Sequence, residues 1–236
     1  MLTRIGAAAR RSDLTIQEFQ SHWKTYHGPT AGDIAHLQRY VQHHAVLVDG
    51  RTLLPYPGFD ACSELDFASL EAMDEGFRLA AESGDLKADE DRFVDKTRFS
   101  WVLGESETRT ATVDGPARAS GDPVTLVTWW RTHPASTKQR LLDVLTGEWE
   151  DGLDSDPTVP VVERRLVVAR DDWHEGRTAP TADVVEIITF DGLDVALSFL
   201  AGHAHRQAPV LAGVAFGVER HLARPVEVVS PPSVRT

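Results

Sequence analysis

The sequence predicts an α+β protein in which one β-α-β-β-α-β unit is present twice. Two observations support this prediction. The same order of strand and helix patterns occurs before and after the middle of the chain, and a polar segment separates the two copies. Residues 104–122 contain one large apolar side chain, Val113, among Gly, Ser, Thr, Pro and charged residues, which is typical of a linker. We therefore expect a first repeat at 1–103, a linker at 104–122 and a second repeat at 123–236.

The first half has the patterns of four strands and two helices: strand 2–9, a helix beginning at 15, strands 40–48 and 59–67, helix 69–82 and strand 93–103. The first helix has a capping box, Thr15 with Glu18, and we expect it to be interrupted by Gly28-Pro29. The second helix has an apolar face at helical spacing, which indicates that it packs on the sheet.

The second half repeats this order: strand 124–131, helix 136–145, strands 159–169 and 184–190, a helix from 191 to 201 and a final strand within 214–229. Ser136 with Gln139 and Asp191 are the expected helix caps. This order is the split βαβ pattern of a ferredoxin-like fold, in which two helices cover one face of an antiparallel sheet.

The strands are apolar on both faces, so the sheet face without helices must also be covered. Two repeats satisfy this requirement when they pack sheet to sheet. The predicted fold is therefore two tandem ferredoxin-like repeats that form a fused dimeric α+β barrel, an intramolecular pseudo-dimer. This leaves room for a further homodimer.

Composition excludes several classes of protein. The chain has 236 residues and a formal net charge of −12, which argues against binding nucleic acid. One cysteine excludes a disulfide framework, and no apolar run has the roughly 20 residues of a membrane helix. The N-terminus has no secretory h-region, so we expect a cytoplasmic protein that does not bind membranes.

Two segments carry a resemblance to a known family. The first combines Phe19-x3-Trp23-x3-His27-Gly28-Pro29 with the strand 39–44, and the second runs from 60 to 72 and on to 89–95. Together they resemble the EthD family of the dimeric α+β barrel superfamily, and the second half resembles a diverged repeat of the same type. The resemblance implies the ferredoxin-like barrel. It also implies activities such as lactone isomerisation and the cyclisation or dehydration of aromatic polyketides.

Five of the ten histidines lie between residues 22 and 44, and His27 is the first catalytic candidate among them. It follows Trp23 by four residues on the apolar face of the helix, and it matches the histidine of the family motif. It is either a general acid/base at the mouth of a pocket or a structural residue that caps the helix carbonyls.

The predicted strand 40–48 alternates sides, with Tyr40, Gln42 and His44 on one face. The other face, which includes His43, is more apolar, so we expect that face to pack under the helices and the first to line the barrel. Tyr40, Gln42, His44 and Trp23 are then substrate contacts, with His44 a second catalytic candidate. Alternatively, the polar side chains hydrogen-bond one another.

Glu64 is a further candidate, expected to point into the barrel as a substrate contact or a base of raised pKa. A salt bridge to Arg4 or Arg98 is the alternative. Cys62 is either a nucleophile, if His27 or His44 lies close to it, or a small buried side chain.

No set of His, Asp or Glu residues has metal-ligand spacing, and no phosphate-binding glycine motif is present. We therefore predict an enzyme without a cofactor. It is expected to isomerise, cyclise or dehydrate a small oxygenated cyclic or aromatic compound by proton transfer. The alternatives are a non-catalytic ligand-binding protein of a catabolic or biosynthetic cluster and an oxidoreductase that uses haem or oxygen, because some barrel relatives bind haem through one histidine.

Overall fold

The structure, a computed structural model, describes residues 1–54, 59–109, 122–147, 161–171 and 180–230; the side chains of 109, 203–210 and 217–219 lie outside this description. The chain divides into two compact units. The first comprises residues 1–105 together with 225–236, and the second comprises 106–224. The sequence analysis had placed residues 225–236 in the second repeat.

The first unit contains a four-stranded antiparallel sheet in the order β6-β1-β5-β2. Its elements are β1 (Leu2–Arg10), α1 (Ile16–His22), a π-helical turn (Trp23–His27), α2 (Gly28–Gly32), β2 (Leu37–Ala45), the small hairpin β3 (Leu47–Val48) and β4 (Arg51–Thr52), β5 (Ala61–Phe67), α3 (Leu70–Ser83), α4 (Asp85–Phe93) and β6 (Val94–Arg109). Helix α4 was not predicted. The strand β6 continues past residue 103, because Gly104 and Glu105 still pair with β1.

The first helix begins as the sequence predicts, with Thr15 and Glu18 forming the capping box. The predicted interruption at Gly28-Pro29 is wrong. The helix passes instead into a π-helical turn, whose closing bond runs from the Gly28 N–H to the Trp23 carbonyl. Pro29 lies in the first turn of α2, where its missing N–H leaves no bond unmade.

The second unit contains a sheet in the order β10-β7-β9-β8. Its elements are β7 (Val124–Thr132), α5 (Lys138–Thr146), β8 (Val161–Ala169), β9 (Val184–Phe190), α6 (Leu193–Leu211) and β10 (Ala215–Val229), of which residues 225–229 belong to the first unit. Thr137 caps α5, in place of the predicted Ser136, because its Oγ1 reaches the Arg140 N–H. Gly192 is the residue before α6, in place of the predicted Asp191 cap, and α6 ends ten residues later than expected.

The strand registers show that the two units are copies of one plan. Leu2 pairs with Phe67 in the first unit, and Val124 pairs with Phe190 in the second. Strands β2 and β8 have the same one-residue irregularity at the same place, after Leu37 and after Val161. Matching the ladders in this way assigns each strand position of one unit a counterpart in the other. The predicted α+β class with two ferredoxin-like repeats is confirmed.

Candidate functional site

The first unit contains a cavity of ≈ 340 Å³ between its helices and the helix-facing side of its sheet. We call it the helix-side cavity. Its volume lies within the range of small-molecule sites. Its walls come from the sheet, from α1 with the π-helical turn, and from α3 and α4, and they include Arg4, Gly6, Ala8, Phe19, Trp23, His27, Tyr40, Ser63, Phe77, Glu90, Phe93, Lys96 and Phe99.

Small side chains on the two central strands make room for this cavity. Gly6 and Ala8 of β1 stand beside Ser63 and Ala61 of β5 in the ladder, and all four line the cavity. A Cβ atom built on Gly6 would lie 3.1 Å from Ser63 Oγ and 3.3 Å from Phe99 Cζ. The empty volume therefore depends on the absence of side-chain atoms at these positions.

His27 lies at the end of the π-helical turn and is held by a carboxylate from α4. Its Nδ1 lies 3.0 Å from Asp89 Oδ2, and the other oxygen of Asp89 lies 2.8 Å from His22 Nε2. Because an ionised carboxylate only accepts hydrogen bonds, we assign the proton of neutral His27 to Nδ1. Its Nε2, which carries the lone pair, makes no hydrogen bond with any residue that the structure describes.

The surroundings of His27 favour its neutral form. Burial lowers its pKa from the usual value, and this outweighs the opposite effects of the nearby carboxylates Asp89 and Glu90. The ring also packs against Phe93, with centroids 4.9 Å apart. A neutral imidazole with a fixed tautomer and a free Nε2 is the form that a general base requires.

Tyr40 contributes a buried phenol to the same cavity. Gln42 Nε2 lies 3.0 Å from the Tyr40 hydroxyl and 2.8 Å from the Trp23 carbonyl, so the Gln42 amide donates to both. Burial raises the pKa of Tyr40 to about 12, although hydrogen bonds from Gln42 and Trp23 act in the opposite direction. The phenol is therefore neutral at pH 7, and its own proton is available to an acceptor in the cavity.

The structure reverses the expected orientation of the strand that carries Tyr40. Tyr40, Gln42 and His44 lie under the helices, not on the opposite face, as shown by the Gln42 bond to Trp23 and the 4.5 Å separation of the Trp23 and His44 rings. His43 lies on the opposite face beside Glu64. Apolar content predicted the wrong face because both faces of this strand are buried.

The sequence candidates thus divide into three groups. His27, Trp23 and Tyr40 line the helix-side cavity. Gln42 and His44 lie behind them, where His44 Nε2 is 2.8 Å from Gln42 Oε1. Since that oxygen accepts, the His44 ring donates and fixes the Gln42 amide that bonds to Tyr40.

Glu64 and Cys62 lie on the opposite face of β5. Glu64 forms an ion pair with Arg39, and not with the expected Arg4 or Arg98. Cys62 is fully buried and burial raises its pKa, so it is held as a thiol. It lies on the other side of the sheet from His27 and His44, which removes the expected activating partners.

The sequence analysis missed two residues of the site, Asp89, which holds His27, and Arg4, which lines the cavity. Asp89 was part of a quoted segment but received no role. Its signal is its spacing, because it precedes the buried Phe93 by four residues on one face of α4. Arg4 was considered only as a partner for Glu64. The sequence does mark Arg4 as unusual, because it is a charged residue on a strand face whose neighbouring residues, Leu2 and Gly6, are uncharged.

Within the described ranges, no group of three or more His, Cys, Asp or Glu side chains could hold a metal ion. The side chains of His203 and His205 lie outside the described residues. Among the helices that the structure describes, none has the length and apolar character needed to cross a membrane.

Comparison with known proteins identifies the first unit. Residues 11–97 match the model of the EthD domain, the family that the sequence analysis named as a resemblance. No curated protein matches the sequence.

Solved structures resemble the whole chain in fold. An anthrone oxidase-like protein matches with a TM-score of 0.65 at 12% identity, covering 100% of this chain and 96% of that one. A proposed monooxygenase from Fusobacterium nucleatum matches with a TM-score of 0.60 at 9% identity, covering 95% and 91%. A proposed chlorite dismutase matches with a TM-score of 0.52 at 8% identity, covering 96% and 95%. At these identities the likeness shows the fold, which is the predicted dimeric α+β barrel class.

Proposed function

We propose that this protein is an enzyme that moves a proton on a small oxygenated cyclic or aromatic compound bound in the helix-side cavity. The observation that carries the proposal is the pairing of a base with a hydrogen-bond donor in one cavity. His27 offers a free lone pair held in place by Asp89, and Tyr40 offers a neutral phenol proton.

The first step is removal of a proton from carbon next to a carbonyl group. His27 Nε2 takes this proton while the electron pair moves onto the carbonyl oxygen, giving an enolate or a phenolate. Tyr40 donates its hydrogen bond to that oxygen, where the negative charge develops. Asp89 stabilises the imidazolium that forms, because its carboxylate accepts a hydrogen bond from the Nδ1–H group throughout.

The second step returns the proton. Transfer from His27 to a different carbon gives an isomer, whereas transfer to a hydroxyl group one carbon beyond the enolate expels that group as water and gives a dehydrated product. His44 and Gln42 serve as positioning residues, since they hold the oxygen of Tyr40 through one continuous chain of hydrogen bonds.

Deuterium exchange tests this proposal without knowledge of the natural substrate. In 2-tetralone the exchangeable C–H groups lie next to the carbonyl, and in the larger anthrone the exchangeable C–H group is conjugated with the carbonyl through the rings. In D₂O under nitrogen, proton NMR should show catalysed exchange by the wild-type protein. His27→Gln should lower this catalysed rate by roughly 10²- to 10⁴-fold, the range for loss of a general base.

His36→Asn is the matched control, because His36 is exposed and has a positive φ that asparagine tolerates. It should exchange at the wild-type rate. Exchange that is equal in the wild-type and His27→Gln proteins, or absent from both over a wider set of cyclic ketones and phenols, would contradict the proposal. A protein that binds these compounds without exchange would be a ligand-binding protein instead.

The names of the structural neighbours also raise an oxygen-using reaction. An enolate made by His27 is the species that O₂ oxidises in cofactor-free chemistry, so an oxygen electrode on the anthrone sample separates the two outcomes. A haem reaction fits the first unit poorly. The cavity of ≈ 340 Å³ is near the lower limit for small-molecule sites, and a porphyrin is much larger than the two- and three-ring compounds used as probes. Titration with haemin, followed by visible absorbance, tests this directly.

A further inference from the structure

Arg4 is a partly buried cation in the wall of the helix-side cavity. Its guanidinium lies 5.1 Å from the Phe77 ring centroid and 5.4 Å from that of Phe99, and the side chain forms part of the cavity wall. Among the residues that the structure describes, none forms a hydrogen bond or a short ion pair with it. Glu90 acts on Arg4 only from beyond ion-pair distance. Removing part of a cation's surface from water without a hydrogen-bonded anion is costly, and two aromatic faces compensate for only part of that cost.

The fold does not require an arginine at this position. The strand registers match Arg4 of β1 with Leu126 of β7, a fully buried leucine in the second unit. A leucine therefore meets the packing needs of this place in the repeat. The charge of Arg4 is an addition that the first unit has and the second lacks.

The lining carboxylate Glu90 is already paired with another cation. Lys96 lies 3.2 Å from Glu90 and 2.7 Å from Asp91, so among the described lining residues Arg4 is the cation that no short ion pair neutralises. His27 is neutral in this setting. The chain as a whole has a formal net charge of −12, which repels anions at long range. The charge of Arg4 offsets that repulsion locally, at the place where a ligand would bind.

We propose that the compound bound in the helix-side cavity carries a carboxylate on its ring system, and that Arg4 binds this carboxylate. This inference rests on the proposed function for the position of the site and adds the class of ligand, an aromatic or cyclic acid. A guanidinium presents two parallel N–H groups to a carboxylate, so Arg4 fixes the orientation of the ring as well as its charge. The aromatic rings of Phe77 and Phe99 beside Arg4 fit a flat ring next to the acid.

The test compares two probes of nearly equal shape, 2-naphthoate and 2-naphthamide, by isothermal titration calorimetry. The wild-type protein should bind the acid roughly 10- to 100-fold more tightly than the amide, the scale of one charge-assisted pair. Arg4→Leu, the residue found at the counterpart position, should remove this preference while it leaves binding of the amide nearly unchanged.

Arg98→Met is the matched control. Arg98 is an exposed arginine on the neighbouring strand β6, and its loss changes the net charge of the chain by the same amount. It should keep the preference for the acid. Circular dichroism and thermal melting of Arg4→Leu establish that the variant is folded.

The proposal is overturned if the wild-type protein fails to bind 2-naphthoate, if both probes bind equally, or if Arg4→Leu keeps the preference. These outcomes are independent of the proton-transfer test. Loss of deuterium exchange with an intact preference for the acid would contradict the proposed function alone. Exchange without that preference would contradict only the role of Arg4.

Discussion

The two units of this chain share one strand register and fill the helix-facing side of their sheets in opposite ways. In the first unit, β1 presents Gly6 and Ala8 there; their counterparts on β7 are Thr128 and Trp130. Trp130 is fully buried. At these described positions the same backbone therefore leaves room for a cavity in the first unit and carries a bulky buried side chain in the second.

The polar side chains at matching positions also differ: they bond to one another in the second unit and leave a donor for a ligand in the first. Ser63 corresponds to Glu186, and Tyr40 to Arg164. In the second unit, Arg164 Nε lies 2.7 Å from one oxygen of Glu186, and the Trp130 indole N–H lies 3.0 Å from the other. These charges satisfy one another, whereas the first unit leaves the Tyr40 proton free for a ligand. A fused repeat can specialise in this way because its two copies are not constrained to be identical.

The largest effect expected from this comparison is on stability. Trp130→Ala should lower the free energy of unfolding by about 3–5 kcal/mol, the usual cost of removing a fully buried aromatic ring. Urea unfolding followed by circular dichroism measures it. Phe99→Ala, at a 41% exposed ring on the edge of the first-unit cavity, should cost less than about 1 kcal/mol. Equal costs at the two sites would mean that both are packed alike.

Removal of the Tyr40 hydroxyl should separate chemistry from stability. Tyr40→Phe should slow the catalysed exchange by roughly 10²- to 10³-fold, as for loss of one donor to a developing oxyanion. Stability should change by only about 0.5–1.5 kcal/mol, because Gln42 keeps its bond to the Trp23 carbonyl. The exchange assay and urea unfolding of the same preparation check both expectations. A variant with full exchange activity would show that Tyr40 does not contact the reacting oxygen.

Replacing Gly6 with threonine (Gly6→Thr), the residue at its counterpart position 128, tests whether cavity volume controls binding. The new Cβ atom would lie 3.1–3.4 Å from Ser63 Oγ, Phe99 Cζ and Arg4 Nη1. Binding of 2-naphthamide should weaken about tenfold, since the cavity shrinks while the charges stay. Thr128→Gly, the reverse change in the second unit, should leave binding unchanged. Weaker binding in the second variant alone would place the ligand outside the first unit.

Lowering the pH should have the smallest effect on the exchange rate. Because burial lowers the pKa of His27, its base form persists below pH 6.5, and kcat/KM for exchange should fall about tenfold per pH unit only below that lowered pKa. The unfolded chain binds the His27 proton at higher pH than the folded chain does. The contribution of His27 to the free energy of unfolding is therefore present above about pH 6.5 and lost as pH falls through the folded pKa.

Asp89→Asn sharpens the pH test. The Asp89 carboxylate raises the pKa of His27 against the effect of burial, so its removal should move the acid limb to still lower pH. At the alkaline end the rate should stay level through about pH 10, because the pKa of Tyr40 is about 12. An acid limb that stays in place in Asp89→Asn would assign it to another group. Initial exchange rates across the pH range provide the measurement.

Local patterns in the sequence were sufficient to predict the repeat. The capping box at Thr15 and the spacing of apolar residues in the strands depend only on residues close together in the sequence, and they determine the order of the elements. They do not determine which face of a strand meets the helices when both faces are buried. The positions of Tyr40, Gln42 and His44 were therefore assigned to the wrong face.

The candidate site was predicted only where one element carries it. His27 and Trp23 belong to a single helical segment, so their spacing placed them together. The pairing of His27 with Asp89 joins residues 62 positions apart, and no local period reports such a contact. The cavity itself depends on Gly6 and Ala8, small residues whose importance is visible only beside their counterparts in the other unit.

The central claim is that the first unit holds the ligand and the second unit does not. Nitrogen-15 NMR of the tryptophan indole groups tests it, because Trp23 lines the helix-side cavity and Trp130 occupies the matching place in the second unit. Addition of 2-naphthoate should shift the Trp23 indole signal, assigned by Trp23→Phe, and leave the Trp130 signal, assigned by Trp130→Phe, in place. A shifted Trp130 signal with an unchanged Trp23 signal would contradict the account.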